Sequence, residues 1–144
     1  MNIQIVMSGE PSLSFAKEGI AEYIKRCSRF GSVSLISIKE DKHYLKKLTK
    51  TLEGSDVILC DENGKTYSTA ALSKKIHTKI QESTKTLSFV IGPPDGHGQE
   101  MRKKYGQTLS LSELTLPHDL AVLVLSEAIY RSLTILDGHP YHRS

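Results

Sequence analysis

Cysteine is scarce in this chain: there are two in 144 residues, Cys27 and Cys60. Two are too few for a disulfide scaffold and fit a reducing cytosol, and with neither a CxxC pair nor a zinc-ligand spacing no metal is expected. Long apolar runs are also missing. The longest, Leu120 to Leu125, falls far short of the roughly 20 residues a bilayer span needs. The N-terminus lacks a basic segment leading into an apolar stretch and a cleavage site. Neither secretion nor a membrane partner is expected, and the protein is assigned to the cytoplasm. Neither GxGxxG nor a Walker loop occurs, so dinucleotide and nucleoside triphosphate ligands lose their usual support. Repeats, low-complexity stretches and linkers are absent. The chain therefore reads as one domain, 1–144, of a size that buries roughly 70% of its unfolded surface.

Excess charge is small as well. Lys and Arg number 19 against 16 Asp and Glu, a formal net charge of +3. It is uneven: residues 1 to 50 hold nine basic against five acidic side chains, and residues 51 to 144 hold ten against eleven. That asymmetry permits an RNA partner without demanding one, and nothing calls for DNA.

What the chain does contain is alternation of two periodicities. Ile3 to Met7 is a short apolar run, after which Ala16, Ile20, Tyr23, Ile24 and Cys27 fall at helical spacing, with Ser12 or Ser14 available as N-cap. Val33 to Ile38 predicts a second strand. A Lys-rich helix follows, with Tyr44, Leu45, Leu48 and Leu52 as its buried stripe and Gly54 as its stop. Asp56 to Asp61 predicts a third strand, Asn63-Gly64 a turn, and Ser68 the cap of a helix carrying Leu72, Ile76 and Ile80. Leu87 to Ile91 predicts a fourth strand. An amphipathic segment from Gln99 to Tyr105, a short fifth strand near Leu109 to Leu111, and a long helix opening with Pro117 at its first position and ending at Gly138 complete the pattern. Alternating strands and helices predict an α/β fold, an open parallel sheet with helices on both faces. The last helix is apolar around nearly its whole circumference, more than one sheet face can cover, which points to a subunit contact.

In such sheets ligands settle outside the carboxyl ends of the strands. The loop after strand four, Gly92-Pro93-Pro94-Asp95-Gly96-His97-Gly98, allows close backbone approach at its glycines and is fixed in path by its prolines; an ordinary connection would also account for it. Ser110 to His118 (SLSELTLPH) leads into the last helix, and a backbone-lined pocket there would suit a neutral heterocycle such as adenine, while a plain helix-capping turn is the alternative. The tail HPYHR, His139 to Arg143, collects an aromatic plane, imidazoles and a guanidinium, groups suited to stacking on a base and gripping phosphate, whereas a terminus ordinarily frays. His139 and His142 lack a neighbouring third metal ligand. Arg131 sits on the apolar last helix, where it either pairs with Glu127 one turn back or faces the crevice and stabilises negative charge.

Three segments together, FVIG with a following PDG (Phe89 to Gly96), LSLSELTLPHDL (Leu109 to Leu120) and SEAIYRSLTILDGHPYHR (Ser126 to Arg143), resemble the H-type large-subunit ribosomal RNA methyltransferases. These are small members of the SPOUT class, in which the C-terminal chain threads a trefoil knot. The resemblance is weak through the first half and dense from Leu87 onward. It implies an S-adenosylmethionine-dependent homodimer that methylates N3 of a pseudouridine in a large-subunit rRNA stem-loop on the assembled ribosome. It further implies a cofactor pocket of Cys60, Gly92, Pro93, Ser112, Glu113, Leu114, Thr115, Leu116 and Pro117, and a catalytic set of His118, Arg131, Tyr141 and His142. Two departures stand out. Pro93 replaces the second glycine of a usual Gly-Gly pair, removing one backbone N–H, and Cys60 stands where a larger aliphatic is usual.

The implied chemistry needs a base to take the N3 proton, His142 or His118, and a cation, Arg131, to hold the charge that spreads onto the flanking carbonyl oxygens. Tyr141 would stack on or orient the flipped base. The competing expectations are an RNA-binding module of the same fold that lost its cofactor through Pro93, and the same transfer on another RNA such as tRNA.

Overall fold

The computed structural model describes residues 1–143. Its elements follow in the order β1 (Asn2–Ser8), α1 (Ser14–Cys27), β2 (Ser32–Ile38), α2 (Tyr44–Leu52), β3 (Asp56–Cys60), α3 (Thr69–Gln81), β4 (Thr86–Ile91), α4 (Gln99–Lys104), β5 (Thr108–Leu109) and α5 (His118–Asp137). The strands make one sheet in the order β2-β1-β4-β3-β5, every pair parallel.

Pleating explains why the central strands read as unbroken apolar runs. In β1, Ile5 and Met7 face one side and Val6 the other; in β4, Phe89 and Ile91 share the first side and Val90 the second. The first side is covered by α1, α3 and α5, which bring Ile20, Ile76, Leu125 and Ile129 to the core. The second is covered by α2 and α4 through Leu48, Leu52 and Met101. The β1–α1–β2 crossover runs toward one sheet edge and β4–α4–β5 toward the other, so right-handed connections set their helices on opposite faces. The sheet's switch of direction thus lies between β1 and β4.

Local chemistry departs from the sequence reading at several points. Neither Ser12 nor Ser14 caps α1: Leu13 holds the N-cap position, without a side-chain cap. The carboxylate of Asp119, at the start of α5, accepts instead from the backbone N–H groups of Ser12 at 2.7 Å and Leu13 at 2.8 Å. Burial alone would raise the Asp119 carboxyl, but these N–H groups outweigh it and hold the pKa below the ordinary value. Pro117 is the N-cap of α5 rather than its first helical residue. The last strand spans Thr108 and Leu109 only, with a single further bridge between Ser110 and Thr66. Leu45 and Ile80, expected in buried stripes, are exposed. Ser68 caps α3 as expected, accepting from the Ala71 N–H at 3.0 Å, and Gly138 closes α5 in the left-handed conformation at φ 75°.

The C-terminal tail folds back on the helices. Tyr141 stands edge-on to Tyr130 with ring centroids 4.6 Å apart, and His139 meets Phe30 at 5.8 Å. No helix among the described residues is long and apolar enough to cross a membrane.

Candidate active site

A cavity of about 730 Å3 opens outside the carboxyl ends of β3 and β4, where ligands of open parallel sheets settle. Cys60 and Ile91 end those strands at its floor. One wall is the loop Gly92 to His97, shaped by a turn in which the Gly96 N–H donates to the Pro93 carbonyl at 2.8 Å. The opposite wall is the segment Leu111 to His118. This second wall is tied to the end of β3 by Glu62, whose carboxylate accepts from the Thr115 hydroxyl at 2.7 Å and whose carbonyl accepts from the Ser110 hydroxyl at 3.1 Å.

Of the residues expected in a cofactor pocket, Cys60, Gly92, Pro93, Ser112, Leu114, Thr115, Leu116 and Pro117 all line this cavity. Glu113 does not: the Ser112 hydroxyl accepts from the Leu114 N–H at 2.9 Å, and in that tight turn Glu113 is left exposed off the wall. Burial pushes the Cys60 thiol up to about 12, so the group stays a neutral wall element and not a nucleophile.

Among the lining residues outside the expected pocket are Asp61, Glu62, His97 and Arg102. Asp61 pairs with Arg102 at 2.9 Å, and Nε2 of His97 donates to the Cys60 carbonyl at 2.6 Å. Asp61 and Glu62 were findable, since they continue β3 beyond its carboxyl end; Arg102 and His97 arrive from α4 and the Gly/Pro loop by tertiary contact. With Asp95 the rim bears three carboxylates against one guanidinium.

The four residues expected to be catalytic are not together within one chain. His118 lines the cavity. Arg131, Tyr141 and His142 gather elsewhere, around Glu127. Arg131 Nε donates to Glu127 Oε1 at 2.7 Å, its Nη1 to His142 Nδ1 at 3.1 Å, and its guanidinium lies 4.8 Å from the Tyr141 ring centre. The Tyr141 hydroxyl donates to Glu127 at 3.4 Å, and burial, first among several causes, pushes its pKa up to about 12, so the phenol stays protonated. Both readings weighed for Arg131 bear on this outcome: it makes the local pair with Glu127, and it does not line the large cavity. The separation follows from helix geometry, because thirteen residues of α5 rise about 20 Å and turn the side chain to roughly the opposite side. Arg131 lines a smaller hollow of about 150 Å3 beside Ser110 and Leu111. No group of three or more His, Cys, Asp or Glu among the described residues is disposed to hold a metal ion.

Comparison with known proteins agrees with this geometry. Residues 1–142 match the family model described as "Predicted SPOUT methyltransferase". Among curated proteins, the Deinococcus radiodurans protein named ribosomal RNA large subunit methyltransferase H is 41% identical over 145 residues, covering 99% of both chains. A Thermus thermophilus protein of the same name is 35% identical over 143 residues, again covering 99% of both. Among solved structures, a probable methylase family protein from Haemophilus influenzae Rd KW20 superposes with a TM-score of 0.64 at 11% identity, covering 99% of this chain and 71% of that one, a likeness of fold alone. A five-stranded parallel sheet with helices on both faces, a cavity walled by the segment before its last helix, and relatives matched end to end mean that the chain belongs to the SPOUT methyltransferase family.

Proposed function

We propose that the chain transfers a methyl group from S-adenosylmethionine to N3 of a pseudouridine in a stem-loop of large-subunit rRNA, acting on the assembled ribosome as a homodimer in the cytoplasm. The observation that carries this reading is the composition of the large cavity. Its volume suits a ligand of cofactor size. Ile91, Leu111 and Leu116 supply apolar wall for a heterocycle, backbone of the Leu111 to Pro117 segment supplies polar edge, and the carboxylate-rich rim complements a positively charged donor. The residues present therefore fit S-adenosylmethionine, which when bound supplies an electrophilic methyl group. Pro93 takes one backbone N–H from this wall but holds the loop's shape, its carbonyl accepting from the Gly96 N–H, and the backbone donors of the Leu111 to Leu116 segment remain for the cofactor.

The division of the catalytic group supports a site shared between two chains. His118 stands at the cavity of its own chain, whereas Arg131, Tyr141 and His142 stand a helix-length away. Half-buried Leu120, Leu123, Val124 and Ala128 leave apolar surface on α5 between the two groups, and a second copy packed there lends its tail to the first copy's cavity. In that arrangement His118 takes the N3 proton. The Arg131–His142 pair of the other copy donates hydrogen bonds to the carbonyl oxygens on which charge develops. Tyr141, its hydroxyl fixed on Glu127, offers a ring face or edge to the extruded base. The trefoil knot expected of the class is carried over as part of the same reading.

The test is mass mapping of rRNA nucleosides from cells with and without the protein, together with calorimetric titration of the pure chain with S-adenosylmethionine. The reading expects one methylated pseudouridine to be lost with the protein and saturable binding near one site per chain. RNA binding without donor binding would turn it into the RNA-binding module, and a methyl group lost from tRNA instead would redirect the substrate.

A further inference from the structure

His97 is the one imidazole on the Gly/Pro loop, and the proposed methyl transfer makes no use of it. Its ring reaches 37 positions back along the chain to the carbonyl that ends β3, Nε2 donating to Cys60 O at 2.6 Å. The other ring nitrogen, Nδ1, is buried and has no hydrogen-bond partner among the described residues. The ring lies flat against Gly92: a Cβ built there would stand 2.8 Å from His97 Nδ1. Burial lowers the pKa of the ring, an effect that the Cys60 carbonyl and Asp61 oppose, so the ring is neutral, with its proton on Nε2 and a bare lone pair on Nδ1.

Two opposing demands meet at this ring. A strand-end carbonyl facing a cavity needs a donor, and His97 supplies it. The same placement strands an acceptor away from water, which offsets part of what that bond contributes. His97 lies between Gly96 and Gly98, both at positive φ (91° and 82°), and a Cβ at Gly98 would meet nothing within 4 Å, so that glycine serves the backbone conformation and not close packing.

We infer that His97 is a self-inhibitory plug at the Cys60 corner of the donor cavity, its imidazole holding the Cys60 carbonyl until an N–H of the donor's heterocycle takes that carbonyl over and the ring swings out on its flanking glycines. This rests on the cavity being the S-adenosylmethionine site. Exchanging one N–H for another leaves the carbonyl satisfied and returns Nδ1 to water, so the ring competes with the donor for that one carbonyl while the rest of the cavity stays open.

The test is calorimetric titration of the full-length chain with S-adenosylmethionine, alongside nitrogen-detected NMR of the histidine rings. His97→Ala removes the competitor and is expected to bind the donor tighter by up to about fivefold, the worth of one net hydrogen bond before the gain from releasing Nδ1 is set against it. His97→Gln, which keeps an N–H for Cys60, stays near the wild-type affinity. In the wild-type chain the hydrogen-bonded Nε2–H signal of His97 is expected to vanish on saturation with donor, a readout that needs no variant to fold. Equal or weaker binding by His97→Ala, or an Nε2–H signal that survives saturation, overturns the plug while the donor site stands. A wild-type chain that binds no S-adenosylmethionine overturns both.

Discussion

Arg131 donates a hydrogen bond from Nη1 to Nδ1 of His142 across 3.1 Å, and a guanidinium has no lone pair with which to do the reverse. The bond therefore fixes the His142 tautomer: Nδ1 is the acceptor and Nε2 carries the proton. So arranged, His142 presents an N–H and not a base, and in the proposed reaction proton removal falls to His118, which lines the cavity.

Single-turnover methyl transfer separates the two histidines. His118→Ala is expected to slow the step by roughly 10²–10⁴, the range for losing a positioned base. His142→Gln, which keeps an N–H donor, is expected to retain more activity than His142→Ala. Full activity in His118→Ala, or equal losses in both His142 variants, would assign the roles the other way.

Arg131→Lys tests the planar cation. One guanidinium bonds Glu127 at 2.7 Å, bonds His142 and covers the Tyr141 ring, a set of contacts that a point charge on a flexible stem cannot reproduce. The variant is expected to lose about 10²–10³ in kcat, as when one charge-stabilising donor is removed, with its circular dichroism unchanged. Wild-type turnover with lysine would reduce Arg131 to a surface ion pair.

Asp119→Asn tests the clasp between α1 and α5. Losing a charged acceptor for the N–H groups of Ser12 and Leu13 is expected to cost about 1–3 kcal/mol, lowering Tm by several degrees for a domain of this size. Because the folded-state carboxyl is held below its ordinary value of 3.8, its contribution is complete above that value and is lost as pH falls through the lower folded one. Melting curves of the wild-type chain should thus lose this increment below pH 4, and those of Asp119→Asn should not. Parallel acid profiles for the two chains would show that the clasp contributes nothing.

How much of this is legible in the sequence depends on the distance over which each residue finds its partner. The apolar runs of β1 and β4 and the periodic faces of α1 and α5 are local facts, and so is the Ser68 cap, whose partner Ala71 is three positions on. The contact that holds the chain just before α1 is not local. Its acceptor, Asp119, is 107 positions from Ser12, so the nearby serines are the natural choice and the mistaken one. Leu45 and Ile80 fit the helical period yet stand exposed at stripe edges that the sheet does not cover. In the site, the backbone pocket can be anticipated because strand ends and the LTLPH segment are sequence features. Glu113 inside that segment cannot be excluded without the turn made by Ser112 and Leu114. His97 escapes a sequence reading because its role arises from the bare face of Gly92 and a carbonyl 37 positions away.

The shared site is tested most directly by complementation between two inactive chains. His118→Ala and Arg131→Ala, carried on differently tagged copies and expressed together, give a heterodimer purified through both tags. If each cavity is completed by the other chain's tail, one of its two sites has both residues intact, and in a two-fold symmetric dimer it should show about half the wild-type activity while each parent homodimer is inactive. A heterodimer as inactive as its parents would contradict the account.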